Sequence, residues 1–93
     1  MLSFAYLIPR NFPGSIVSKP PPNERIKSLR HQLTFTKSEL AAKINSVGMG
    51  PKNWSAIMID DIETGRIDVM DFTVRSARRI ATALGVTLDS LFG

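Results

Sequence analysis

A chain of 93 residues with no cysteine and a formal net charge of +4 has room for one small core, closed without disulfides. The apolar share is 43%, ordinary for a folded soluble protein, and no stretch approaches the apolar length needed to span a bilayer, so a membrane protein is not expected. Lack of cysteine also removes thiolate nucleophiles and cysteine-ligated metal and suits a reducing cytoplasm, while the basic balance favours polyanionic partners such as nucleic acid.

Residues 1–22 are rich in proline, with Pro20, Pro21 and Pro22 consecutive. Such a run favours an extended spacer, which divides an N-terminal arm (1–22) from a domain (23–93). The arm holds a short apolar stretch, but it lacks a basic leader and a small-residue cleavage site, so a secretory signal is not expected. Phe4, Tyr6, Leu7, Ile8, Phe12, Ile16 and Val17 are many apolar residues for a tail. They suit either a disordered extension or a segment that packs on the domain, on a second chain or on a protein partner.

Asn23 offers an N-cap with Glu24 in the first turn, and Ile26, Leu29 and Leu33 form the apolar stripe of a first helix. Thr36 with Glu39 three residues later is a capping-box pattern, so a second helix begins near Lys37 with Leu40, Ala41 and Ile44 inward. Asn45 to Pro51 is turn chemistry. A third helix runs to about Glu63, starting either at Pro51 or after a Ser55 cap. Ile59 and Ile62 face the core, and Gly65 closes the helix. Asp68 and Asp71 compete to cap a fourth helix. Met70, Val74, Ala77, Ala81 and Leu84 recur at helical spacing and predict that it begins near Val69. Gly85 ends it, and Val86, Leu88, Leu91 and Phe92 read as a short closing helical turn. The expected fold is all-α, a bundle of four to five helices behind an extended arm.

The residues also resemble a known family. Asn23–Arg30, Phe35–Ala41, Ile59–Gly65 and Ile80–Leu91 are similar, in order, to the helices of helix-turn-helix regulators of the phage lambda repressor/Cro (XRE-like) type. The resemblance implies a lambda-repressor-like bundle in which the third helix enters the DNA major groove, and a homodimer on a palindromic site. It also implies a buried pair between Arg30 and Glu63, tying the first helix to the end of the third. Two departures stand out. The turn between the second and third helices, Asn45 to Asn53, is about eight residues longer than the family's, and the segment from Gly65 to the fourth helix is longer by about three or four unless that helix starts early. A lengthened turn would either loosen the angle between the two helices or extend the third helix at its start. Trp54 falls where the family has a small apolar residue, and burial is the expected reading over base stacking.

Mapped residue by residue, the resemblance gives Thr36, Lys37, Lys43, Lys52 and Arg66 as phosphate contacts. The base-reading positions fall on Ala56, Ile57 and Asp61, none of them a long polar donor, so Lys52, Asn53 and Ser55 at the helix start are the better readers. The segment 45–65 carries −2 against +3 for residues 23–44, so the reading helix is the acidic part of the domain. That leaves two functions to weigh. One is a DNA-binding transcriptional regulator contacting double-stranded DNA as a dimer. The other is a protein-interaction module on the same fold, an antitoxin or a bridging coactivator-like domain, with its partner engaged through residues 1–22. His31 is the single histidine and is expected to face solvent; without a Ser/His/Asp set or a ligand cluster, no enzyme, metal or cofactor is expected.

Overall fold

The computed structural model describes residues 20–93. The readings placed on residues 1–19, the apolar arm and its partner, lie outside the described residues. Five α-helices and one 3-10 turn make up the described fold, and no strand occurs among these residues.

Helix α1 spans Pro22–Gln32 and begins one residue before the expected cap. Pro22 takes the first helical position, where a missing N–H costs nothing. The carbonyl of Pro21 accepts from the backbone N–H groups of Glu24 and Arg25, both at 3.0 Å. Asn23 is therefore not the N-cap; it lies inside the helix, and its Nδ2 donates to the carbonyl of Glu63 at 3.2 Å. Leu33 ends up exposed just past the helix, so the buried stripe stops with Ile26 and the half-buried Leu29. Helix α2 spans Lys37–Val47 and starts with a complete capping box. The Thr36 hydroxyl accepts from the Glu39 N–H at 3.0 Å, and the Thr36 N–H donates to the Glu39 carboxylate at 2.7 Å.

Gly48, at φ +83°, closes α2 in a conformation open to glycine and costly to other residues. Helix α3 is short, Ala56–Glu63, and is capped by the Ser55 hydroxyl, which accepts from the Met58 N–H at 3.4 Å. Pro51 therefore does not open the helix; residues 48–55 form a loop.

The fourth helix departs from the expectation. Asp68 caps only a 3-10 turn, Val69–Asp71, and α4 begins later, at Val74, capped by the Thr73 hydroxyl on the Ser76 N–H at 3.1 Å. The backbone at Phe72 and Thr73 is extended, which breaks the helical path between Met70 and Val74. Those two residues continue the apolar repeat in sequence only: they are 62% and 65% exposed. Helix α4 runs Val74–Leu84 and ends at left-handed Gly85, and α5 spans Leu88–Phe92.

Ile26, Leu40, Ile44, Ile59, Ile62, Ile80 and Leu91 are all but fully buried, each contributing roughly 1.5–3 kcal/mol of transfer free energy. Helix α2 lies between α3 and α4, α1 packs on α3 and α5, and α4 also meets α5. Arg25 fastens the two ends of the domain, its guanidinium donating to the carbonyls of Leu91 and Gly93 at 3.0 Å and of Pro20 at 2.8 Å. Among the described residues no helix is long and apolar enough to cross a membrane.

Candidate functional site

Helices α2 and α3 and the loop between them carry most of the residues singled out in the sequence. The loop is anchored at three points. The Asn45 side chain makes two bonds to the backbone of Trp54, accepting from its N–H and donating to its carbonyl, both at 3.0 Å. The Trp54 ring is buried and meets Phe72 edge-on, with centroids 5.9 Å apart. Arg79 of α4, only 2% exposed, reaches under the loop and donates from Nη2 to the carbonyls of Pro51 at 2.8 Å and Ile44 at 3.2 Å. Its guanidinium also lies 5.9 Å from the Trp54 ring, a cation–π distance. The loop is thus fixed to α2 on one side and to α4 on the other.

At the other end of α3 the Arg30–Glu63 pair is bidentate. Nε donates to one carboxylate oxygen at 2.6 Å and Nη2 to the other at 2.9 Å, with the two side chains only 8% and 2% exposed. Glu63 holds the guanidinium above its already high ordinary pKa, mainly through this hydrogen bonding. Arg30 Nη1 adds a bond to the carbonyl of Phe35 at 2.9 Å, so one side chain joins α1, the start of α2 and the end of α3.

Lys37, Asp60, Asp61 and Arg66 come together as one ion-pair cluster. Lys37 Nζ donates to Asp60 at 2.6 Å, while Arg66 lies 3.0 Å from Asp61 and 3.7 Å from Asp60. The Asp60 carboxyl is held below the usual carboxylate range, first by the hydrogen bond from Lys37 and then by its charge, with smaller help from Arg66 and Lys27. Two of the basic residues assigned to phosphate are thus paired to carboxylates of α3. Thr36 spends its hydroxyl and its N–H on the capping box, and Ser55 spends its oxygen on the α3 cap. Lys43 lies over the Phe35 ring at 5.2 Å.

Lys52 and Asn53 remain exposed on the loop, Ala56 is half-buried, and Ile57 projects outward with 75% of its surface exposed. Reading the sequence alone missed Asn45 and Arg79. Asn45 looked like turn chemistry, and nothing local says that it bonds a residue nine positions on. Arg79 stands one position before Ile80, about 100° round the helix from it and off the Ala77–Ala81–Leu84 stripe. It is buried because the loop covers that side. No family model matches the chain, and no curated protein or solved structure matches it significantly.

Proposed function

We propose that this chain is a DNA-binding transcriptional regulator of the helix-turn-helix, repressor/Cro-like type, with α2 and α3 as the helix-turn-helix pair. The observation that carries this reading is the setting of α3. It is a short helix locked from behind by Ile59, Ile62 and the Arg30–Glu63 pair, while the outward side of its first turn, with Ile57 and the preceding Lys52 and Asn53, is left bare. Rigid backing with an unused outer face suits a helix that enters a groove. Ile57 would touch thymine methyls, and Lys52 and Asn53 would supply the donors for base edges.

Eight residues of helix span only about 12 Å, so one copy reads few base pairs. We therefore place two copies on a palindromic site, as related half-sites one helical turn apart require. Fluorescence anisotropy against duplexes enriched from a random pool, repeated over a salt titration, tests the reading. Preference for the enriched sequence persisting at moderate salt is the expected result. Binding without sequence preference, or none at low salt, would overturn it.

A second reading is favoured by one observation: Asp60 and Asp61 cancel the charge of Lys37 and Arg66 beside the exposed Ile57. A weakly charged surface with an apolar centre suits a protein partner, as in an antitoxin or a bridging coactivator-like domain. Copurification of a stoichiometric partner that Ile57→Asp abolishes would select this reading.

A further inference from the structure

The carboxylates of this chain are unevenly placed. Residues 40–59 contain none and carry Lys43 and Lys52, while residues 72–88 contain none and carry Arg75, Arg78 and Arg79. Arg79 binds these two stretches together through the carbonyls of Ile44 and Pro51. Between the loop and α4 lies a groove of about 360 Å³ lined by Met49, Arg75 and Arg78. Arg75 and Arg78 are exposed and make no ion pair among the described residues. Residues 1–19 contain no aspartate or glutamate that could pair with them. Asp71 is the acidic residue nearest to Arg75 in sequence, but it sits in the 3-10 turn and comes into no ion pair among the described residues.

Beneath these two lies a third cation. Arg79 is buried, and among the described residues it has no carboxylate partner and its Nε no hydrogen-bond acceptor. Arg75, Arg78 and Arg79 stand at i, i+3 and i+4, so three like charges share one face of a single turn, an arrangement that disfavours the helix unless an anion relieves it. A buried charge under a solvent-filled groove also focuses positive potential into that groove.

We propose that this loop–α4 groove binds the phosphate backbone of duplex DNA through Arg75 and Arg78, with Lys52 on the adjoining loop. The proposal rests on the DNA-binding reading above and moves its main electrostatic contact from the start of α2, where Lys37 is already paired, to α4. Because phosphates carry no sequence information, the contribution is the same on any duplex.

The full-length chain and its R75Q/R78Q variant are compared by anisotropy on two unrelated duplexes over a monovalent-salt titration. Each lost phosphate contact lowers the slope of log K against log salt by about 0.9, so the variant's slope falls by about 1.8 and its affinity drops roughly 60-fold at 0.1 M salt, on both duplexes. The R75K/R78K variant, which keeps the charges, holds the slope close to that of the parent chain. If the parent chain binds and R75Q/R78Q keeps its slope, the groove is not a phosphate site, although the DNA-binding reading stands. A slope lost equally in R75K/R78K assigns the two arginines a structural role and overturns the proposal. Absence of duplex binding by the parent chain overturns both readings together.

Discussion

The buried pair between Arg30 and Glu63 supports the sharpest test of how this small domain is held together. Replacing Arg30 by Met keeps most of the apolar stem and removes the guanidinium. Glu63, whose side chain is 2% exposed, is then a carboxylate without its two donors at 2.6 and 2.9 Å. Breaking a buried pair in this way costs about 3–5 kcal/mol, because the remaining charge is neither solvated nor paired. Loss of the Arg30 bond to the Phe35 carbonyl adds about 0.5–1.5 kcal/mol. Domains of this size have only roughly 4–11 kcal/mol in total, at about 0.05–0.15 kcal/mol per residue. R30M should therefore lower Tm by at least about 12 °C, given about 4–8 °C per kcal/mol for domains of this length. E63L should lose a similar amount. The double variant R30M/E63L should lose far less than the sum, because no unpaired charge remains, giving a coupling energy above about 2 kcal/mol. The Phe35 bond is absent from both R30M and the double variant, so it cancels from the cycle. Urea titrations followed by Trp54 fluorescence and far-UV circular dichroism measure all four stabilities. A coupling below about 0.5 kcal/mol, the range of independent sites, would refute the reasoning.

Thr36→Ala removes the capping box at α2 and should cost about 1 kcal/mol in the same titration; a loss under a few tenths would mean that water replaces the cap. Asn45→Ala leaves the Trp54 N–H and carbonyl without their side-chain partners, for about 1–3 kcal/mol. The Trp54 emission should shift to the red as its loop loosens, and an unchanged spectrum would show that Arg79 and the Trp54–Phe72 contact hold the loop without Asn45. Asp60 has its pKa lowered in the folded state, so its stabilising effect is complete above the unfolded value of about 3.9 and is lost as pH falls through the lowered folded value. The Tm difference between the parent chain and Asp60→Asn should accordingly shrink as pH falls below about 4; a constant difference would mean that the Lys37 pair contributes nothing. D60N/D61N frees Lys37 and Arg66 and removes two negative charges, so duplex affinity should rise and the salt slope steepen by up to about 1.8. Weaker binding would instead mark a carboxylate as a base contact.

Local signals carried the fold well wherever a bond spans only a few residues. Thr36 with Glu39, Gly65 and Gly85 act within one helical turn, so spacing alone reveals them. Asn23 failed as a cap because the chain had a better option: a proline run whose last member could itself start the helix while the Asn amide went to the Glu63 carbonyl, forty positions away. The apolar repeat from Met70 to Leu84 misplaced the start of α4 for a related reason. Periodicity registers the side-chain pattern, whereas Phe72 was drawn inward by Trp54, and the backbone between Met70 and Val74 straightened to allow it. At the candidate site, charge type was legible but charge pairing was not. Lys37 reads as a phosphate ligand in the sequence, but Asp60 pairs with it from another helix, 23 positions on, and Arg66 turns back onto Asp61 at the end of the helix it follows.

The two loops that flank α3 are one feature of the folded molecule. The first, between α2 and α3, contributes Trp54; the second, between α3 and α4, contributes Phe72, and the two rings meet at an interplanar angle of 86°. Arg79 lies below, bonded to the first segment and close to the Trp54 ring. A longer turn on its own would free α3 to pivot on α2, as a longer flexible connection restrains its ends less. Here the first loop folds back onto α4, and the second supplies the aromatic edge that closes over it. The orientation of α3 is consequently set from three sides: by α2 across the core, by Arg30 at its end and by α4 through the loop. Shortening either segment alone would strip one aromatic ring of its partner and leave a large apolar face in water, so the lengths of the two segments have to change together.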